Sequence, residues 1–232
     1  MELTYSRTYA ERGLAPGQMD KLSKFGDLLL NAAFNVTSIR EPEDVERFHF
    51  LDCLALLDLE AIRTARRPAD LGSGAGLPAL VLALVLPASQ VTAVESQQKK
   101  CTFIEQAASA MELKNVLVRC KRVEDYGQEA GRGAHDAVVS RALAALPVVV
   151  EYSLPLLEAG GAMVAMKGEI SNQERIQAQR ALDILGGGRL ESIKLEPFVG
   201  AENRWIYLAR KNKPTPAAYP RRPGTPTRRP LG

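Results

Sequence analysis

From residue 68 onward, short apolar segments alternate along the chain with longer segments of helical periodicity. The pattern predicts strands near residues 68–71, 90–95, 115–120, 136–140 and 161–167, and helices near residues 77–86, 97–112, 145–157 and 171–185. Strands that alternate with helices pair in parallel, and the connecting helices cover both faces of the sheet. The sequence therefore predicts an α/β fold with a doubly wound, mostly parallel sheet.

The end of this pattern has no helix. After three consecutive glycines, the chain continues as RLESIKLEPF and then NRWIYLARK, two strand-like segments that predict an antiparallel hairpin at one edge of the sheet. A doubly wound sheet that ends in such a hairpin is typical of class I (Rossmann-like) methyltransferases that use S-adenosylmethionine. Dinucleotide-binding sheets usually end otherwise.

Composition divides the chain into three parts. Residues 1–66 predict a helical extension packed on the core, with one helix over residues 17–34 and another that begins at Pro42, and residues 67–211 predict the core itself. Residues 212–232 form a tail too rich in proline for a regular helix. From residue 210 onward there are seven of the chain's 30 basic residues and no acidic one, which leaves 23 basic against 27 acidic residues before it.

An extended basic tail is either an arm that meets phosphate backbones or simply a solvated segment. Its candidate RNA contacts are two arginine pairs, Arg221, Arg222, Arg228 and Arg229.

The longest apolar run, LPALVLALVLPA, has about half the length of a membrane span. Three widely spaced cysteines and two histidines favour neither a disulfide framework nor a metal site. We expect a monomeric, cytoplasmic protein that has no export signal and binds no metal.

A glycine-rich turn, DLGSGAGLP, follows the first predicted strand and opens a helix. Gly72, Gly74 and Gly76 have a spacing that fits either S-adenosylmethionine or a dinucleotide, because both ligands lie against such a turn. Asp70 places an anion beside the turn, which would repel a diphosphate and attract the ammonium group of a methionine moiety. Asp70 therefore favours S-adenosylmethionine.

Carboxylates also follow the next two strands. Glu95 ends the second strand, where it can accept hydrogen bonds from both ribose hydroxyls of either cofactor. Val123 and Glu124 follow the third strand, where Glu124 can accept from the exocyclic amine of adenine. Each acid alone could be a solvated loop residue, but three at successive strand ends indicate a binding site.

Several segments together resemble the RsmG (GidB) family of small-subunit ribosomal RNA methyltransferases: DLGSGAGLP, VESQQKK, RVEDY, VVSRAL, GGAMVAMKG and YPRRPGTPTRRPL. The resemblance implies methyl transfer from S-adenosylmethionine to N7 of a guanine in 16S ribosomal RNA, with this RNA or the small ribosomal subunit as partner. It also implies a cofactor site at Gly72, Leu77, Val123, Glu124 and Arg141. The chain has Val36, Cys53 and Ala79 where family members often have Leu, Ser and Gly.

Guanine N7 carries an in-plane lone pair, so its methylation needs alignment and exclusion of water rather than a general base. Arg141 follows the fourth strand and is the candidate catalytic residue. Its guanidinium can contact the cofactor, or it can donate a hydrogen bond to guanine O6 or to a phosphate. Lys167 ends the fifth strand, where it either contacts RNA or is solvated.

We expect His49 and Asp52 to link their helix to the sheet, His135 to be exposed, and Trp205 and Tyr207 to pack in the core. An NAD(P)-dependent oxidoreductase and an inactive ribosomal-RNA-binding protein are the alternative functions.

Overall fold

Seven strands form one mixed sheet in a computed structural model that describes residues 1–232. The spatial order is β3-β2-β1-β4-β5-β7-β6. The strands are β1 (Pro68–Leu71), β2 (Val91–Glu95), β3 (Val116–Cys120), β4 (His135–Arg141), β5 (Leu157–Lys167), β6 (Glu191–Lys194) and β7 (Trp205–Arg210). The first five pair in parallel, and β7 is antiparallel to both β5 and β6. The predicted class I topology and its terminal hairpin are confirmed.

Eleven helices surround this sheet: α1 (Ser6–Glu11), α2 (Pro16–Leu30), α3 (Pro42–Val45), α4 (Asp52–Leu54), α5 (Glu60–Arg63), α6 (Ala79–Val85), α7 (Gln98–Ala110), α8 (Val123–Gln128), α9 (Leu146–Ser153), α10 (Asn172–Leu185) and α11 (Thr225–Arg228). The N-terminal helices share one hydrophobic core with α6, α7 and one face of the sheet. The other core joins α9 and α10 to the opposite face. The first 66 residues therefore pack on the sheet rather than forming a separate unit.

Local sequence signals set several helix ends. Pro16 occupies the first turn of α2, where its missing N–H costs nothing, and the Gln18 side chain accepts from the N–H of Ala15. Ser171 caps α10 by accepting from the N–H of Glu174 at 3.1 Å, and Gly186 ends α10 with a left-handed φ of 85°.

The second N-terminal helix begins at Pro42, as predicted, but it is not regular. Between α3 and α4 the chain widens into a π-helical segment, Glu46–Leu51, and a 3₁₀ turn follows α4. π-helical turns within helices often occur at functional sites. Within this segment, the carbonyl of Phe48 and the ring of His49 contact Arg141 at the end of β4.

The sequence missed the short helices α1, α5, α8 and α11. These helices have six, four, six and four residues and depend on packing rather than on intrinsic propensity. Strand β5 also begins at Leu157, four residues before its predicted start.

The tail is neither an extended arm nor a solvated segment, because specific contacts hold it on the core. Arg221 makes an ion pair with Glu151 of α9, a side chain with no exposed surface. Arg132 donates to the carbonyl groups of Thr215 and Tyr219 at 2.8 and 2.6 Å. The tail therefore folds back across α8 and α9.

Cys101 and Cys120 are joined in a disulfide between α7 and the end of β3, contrary to the expectation drawn from cysteine spacing. The spacing argument failed because 19 residues separate the two cysteines while helix packing brings their Cα atoms to 5.8 Å. None of the helices is both long and apolar enough to span a membrane.

Candidate functional site

Two cavities open side by side where the parallel strands end. The first encloses about 240 Å³ and is lined by residues that follow β1, β2, β3 and β4. The second encloses about 270 Å³ and lies at the ends of β4 and β5 and the start of β7. Ala142 lines both cavities. This is the edge at which open α/β sheets bind ligands, next to the point where the strand order reverses between β1 and β4.

The glycine turn forms one wall of the first cavity. Gly72 lines it with a φ of 66°, and a Cβ atom added there would lie 2.5 Å from Leu143 Cδ1. A side chain at this position would therefore be strained and would crowd the cavity wall. Gly74, Gly76 and Leu77 do not line the cavity and instead shape the turn behind it.

Asp70 lies beneath the turn rather than in the cavity wall, with 1% of its surface exposed. Its Oδ2 accepts from the N–H of Ala79 at 3.2 Å, while Oδ1 is buried and has no partner. Burial raises the pKa of Asp70 to about 6. An unpaired buried oxygen of this kind is rare in a folded protein, and because it is closed off from the cavity, Asp70 can act on a ligand there through its charge rather than through a hydrogen bond.

Glu95 is held in place by three backbone donors. Its Oε1 accepts from the N–H groups of Ser96 and Gln97, both at 2.8 Å, and its Oε2 accepts from Gly74 at 3.0 Å. The side chain is 6% exposed and lines the first cavity. Since each carboxylate oxygen has two lone-pair directions, these donors occupy three of the four positions, and Oε2 keeps one for a ribose hydroxyl.

Val123 and Glu124 begin α8 and line the same cavity. Oε1 of Glu124 accepts from Tyr152 Oη at 3.1 Å and from the N–H of Gly224 at 2.8 Å. Its Oε2 makes no hydrogen bond within the chain, and Glu124 and Tyr152 both line this cavity. The sequence did not indicate Tyr152 or Gly224, because their contacts with Glu124 span 28 and 100 residues.

These features fit S-adenosylmethionine. The first cavity offers a glycine wall without side chains, a carboxylate suited to a ribose and a second carboxylate with a free oxygen for an adenine amine. Asp70 adds an unpaired acceptor beneath the turn. Three cationic side chains that the sequence did not indicate also line this cavity: Lys100, Lys121 and Arg122.

The second cavity contains Arg141 and Lys167. Arg141 Nη1 donates to the carbonyl of Phe48 at 2.9 Å, so its guanidinium is held by the π-helical segment rather than by the first cavity. Lys167 Nζ donates to the carbonyl of Ala144 at 2.8 Å and lies 3.4 Å from a carboxylate oxygen of Glu174. The catalytic role of Arg141 and the RNA contact of Lys167 stay predictions.

An ion pair closes the other side of this cavity. Arg204 Nε donates to both carboxylate oxygens of Asp52, and Trp205 lies beside them. Trp205 is half-buried and packs against the core, and Tyr207 is buried within it, as predicted.

His49 and Asp52 do link their helix to the sheet, through different partners. His49 Nε2 lies 2.8 Å from Thr37 Oγ1, and its Nδ1 lies 3.3 Å from Arg141 Nη2. Burial lowers the pKa of His49 to about 4, and the neighbouring Arg141 charge adds to this. His135, which we expected to be exposed, is 3% exposed and lies 2.9 Å from Tyr126 Oη.

Only part of the basic tail is available to a partner. Arg221 is bound to Glu151, whereas Arg222, Arg228 and Arg229 are exposed. An RNA contact by these three arginines stays a prediction, and the ion pair of Arg221 argues for a structural role there.

Comparison with known proteins agrees with this geometry. A family model described as "rRNA small subunit methyltransferase G" (GidB) matches residues 18–196. The chain is 40% identical over 222 residues to ribosomal RNA small subunit methyltransferase G of Desulfitobacterium hafniense, covering 94% of this chain and 91% of that protein. It is 41% identical over 205 residues to the protein of the same name from Deinococcus radiodurans, covering 87% and 80%.

Solved structures support the fold alone. A SAM-dependent O-methyltransferase from Thermotoga maritima superposes with a TM-score of 0.57 at 18% identity, over 83% of this chain and 72% of that chain. The tRNA (m1A58) methyltransferase TrmI from Aquifex aeolicus gives 0.53 at 16% identity, over 81% and 76%.

Proposed function

The chain belongs to the rRNA small subunit methyltransferase G family of S-adenosylmethionine-dependent methyltransferases, and we propose that it methylates N7 of a guanine in 16S ribosomal RNA. The observation that carries this proposal is the meeting of two cavities at Ala142. The first has the groups for the cofactor, and the second has room and polar side chains for a nucleobase.

The residues of the first cavity would hold the cofactor. Glu95 would accept from the ribose, Glu124 from the adenine amine, and Gly72 would let the ligand approach the main chain. Asp70 would attract the ammonium group from beneath the turn. When bound, S-adenosylmethionine supplies an electrophilic methyl group on a positively charged sulfur.

The chemistry asks for no general base, because guanine N7 presents its lone pair without first losing a proton. The chain must therefore bind the base, orient N7 toward the first cavity and exclude water, which is catalysis by proximity. Guanine offers the acceptors O6 and N7 on one edge and the donors N1–H and N2–H₂ on another. The second cavity presents both partners, cationic donors at Arg141 and Lys167 and an acceptor at Asp52.

A dinucleotide oxidoreductase is disfavoured by Asp70, whose carboxylate beneath the turn would repel a diphosphate. An inactive RNA-binding protein would have no need for the acceptor set of the first cavity. Both alternatives predict no methyl transfer.

The test is methyl transfer from labelled S-adenosylmethionine to small ribosomal subunits, and to bare 16S RNA, from cells that lack this gene. Mass spectrometry of the nucleosides should identify 7-methylguanosine. Asp70→Ala should abolish the transfer, while Asp20→Ala, which changes an exposed carboxylate with no partner, should not. Cofactor binding without transfer to either RNA would refute the substrate and leave the cofactor site standing.

The cellular setting follows from this substrate. Ribosomal RNA as partner implies action in the cytoplasm, on free RNA or on an assembling subunit. The monomeric state stays a prediction.

A further inference from the structure

The C-terminal tail reaches the wall of the first cavity. Residues 219–229 cross α8 and α9, and the backbone N–H of Gly224 donates to Oε1 of Glu124 at 2.8 Å. Thr227 Oγ1 lies 3.2 Å from Tyr152 Oη, which in turn donates to the same oxygen of Glu124 at 3.1 Å. Two of the groups that fix Glu124 are thus the tail backbone and a tyrosine that the tail contacts.

This arrangement gives the two oxygens of Glu124 different tasks. Oε1 is saturated by Tyr152 and Gly224, and only Oε2 remains free of partners within the chain. Glu124 is 3% exposed and lines the cavity, so the free oxygen can serve a ligand there. A carboxylate whose one oxygen is fixed by two donors has its other oxygen fixed as well, which lowers the entropy lost on binding.

The tail is held by its own specific contacts. Arg221 donates from Nε and Nη2 to the carboxylate of the fully buried Glu151, at 2.9 and 2.5 Å. Gln128 Nε2 donates to the carbonyl of Pro220, and a Cβ atom added to Gly127 would lie 3.0 Å from Pro220 Cγ. The position of the tail backbone at Gly224 is therefore fixed by an ion pair, a hydrogen bond and close packing.

We propose that the C-terminal tail is part of the cofactor site and positions Glu124 to accept a hydrogen bond from the exocyclic amine of adenine. Tyr152, Gly224 and Thr227 are positioning residues in this arrangement, because they act through Glu124 rather than on the ligand. The inference rests on the proposed function, since it takes the first cavity as the S-adenosylmethionine site. Linkage then requires that cofactor binding stabilise the docked tail in return.

The test compares two ligands that differ at the adenine amine, S-adenosylhomocysteine and S-inosylhomocysteine, by calorimetric titration. The inosyl ligand carries a carbonyl oxygen where the amine stands, so it offers an acceptor rather than a donor at the position that faces Glu124 in the proposed complex. Deletion of residues 224–232 keeps Arg221 and its ion pair while removing the Gly224 donor and Thr227. This deletion should weaken adenosyl binding about tenfold, the effect of one hydrogen bond to a charged group, and change inosyl binding little.

A point variant covers the case in which the deletion disturbs folding. Tyr152→Phe removes the hydroxyl that donates to Glu124 and leaves the whole tail in place, so it should also lower the preference for the adenosyl ligand. The matched control is Tyr126→Phe, since Tyr126 is equally a buried tyrosine but pairs with His135 away from the cavity. Thr227→Ser should preserve the preference, because it keeps the hydroxyl.

An unchanged ratio of the two affinities in the deletion and in Tyr152→Phe would overturn the inference, whether both affinities fall together or neither falls. If the intact chain binds neither ligand, the proposed function fails and the tail inference fails with it. Tight binding of S-adenosylhomocysteine with an unaltered ratio would refute only the role of the tail.

Discussion

Nε of Arg204 lies 3.2 Å from each of the two carboxylate oxygens of Asp52. The contact joins the first residue of α4 to the residue before β7, across the mouth of the second cavity. Burial raises the pKa of Asp52, and the Arg204 charge opposes that shift. The ion pair thus favours an ionised acceptor beside the position that we assign to the target base.

Replacing Arg204 with a neutral residue should show how much its ion pair with Asp52 contributes to the stability of the fold. We expect Arg204→Gln to lower the free energy of unfolding by about 1–3 kcal/mol, less than for a fully buried pair, because the Arg204 side chain is 33% exposed. Urea denaturation measures the change. The matched control is Arg210→Gln, since Arg210 is the last residue of β7, is exposed and has no carboxylate partner. Equal losses in the two variants would contradict a specific role for the Asp52 pair.

Cofactor affinity should depend on the ionisation of Asp70. Its pKa of about 6 means that Asp70 is largely neutral at pH 5 and largely ionised at pH 7, and only the ionised form attracts an ammonium group. We therefore expect S-adenosylmethionine to bind more tightly as the pH rises through 6, and Asp70→Asn to bind weakly with little pH dependence. Calorimetric titrations from pH 5 to pH 7.5 measure both. A pH profile that is the same in Asp70→Asn and in the unaltered protein would disprove the assignment.

His49 should make the fold sensitive to acid. Its pKa falls from 6.5 to about 4 on folding, so between these values the unfolded chain binds the proton and the native chain does not. The contribution of His49 to the free energy of unfolding is fully present above pH 6.5. It is lost as the pH falls toward 4, by about 3 kcal/mol in total. Asp70, with a raised pKa, has the opposite slope in this range, and His135 has the same slope as His49.

The measurement is the difference between the unaltered protein and His49→Gln. Because Asp70 and His135 are present in both, their contributions cancel and the difference isolates His49. We expect the free energies of unfolding from urea titrations to converge as the pH falls from 6.5 to 4. Parallel curves over this range would show that His49 titrates normally in the folded chain.

The sequence predicted the sheet well because each strand is a local apolar segment between turn residues, and the class I topology followed from the order of those segments. It also predicted Glu95 and Glu124 as cavity residues, since the ends of parallel strands meet at one edge. It could not predict the second cavity, whose Asp52 and Arg204 are 152 residues apart. The tail was misjudged because its prolines exclude a regular helix but say nothing about irregular packing against α9.

Ala142, the residue shared by the two cavities, has an unusual backbone conformation. Its φ of 50° lies in the left-handed region, which costs a residue with a Cβ atom roughly 1–2 kcal/mol relative to glycine. Such strain at a functional site persists when the surrounding structure requires it. We expect Ala142→Gly to raise the free energy of unfolding by about 1 kcal/mol and to slow methyl transfer, because the wall between cofactor and base becomes less rigid.

Glu112 provides the matched control. It has a φ of 54° just after α7, is exposed and lines neither cavity, so Glu112→Gly should also raise the free energy of unfolding, less the small contribution of its exposed ion pair with Lys21. Thermal unfolding and single-turnover methyl transfer separate the two effects, because only Ala142→Gly should change the rate. Unchanged transfer in a stabilised Ala142→Gly would mean that the left-handed backbone there serves the chain path alone. A slower rate in Ala142→Gly, with Glu112→Gly unaffected, would link the strained residue to alignment of the two reacting groups.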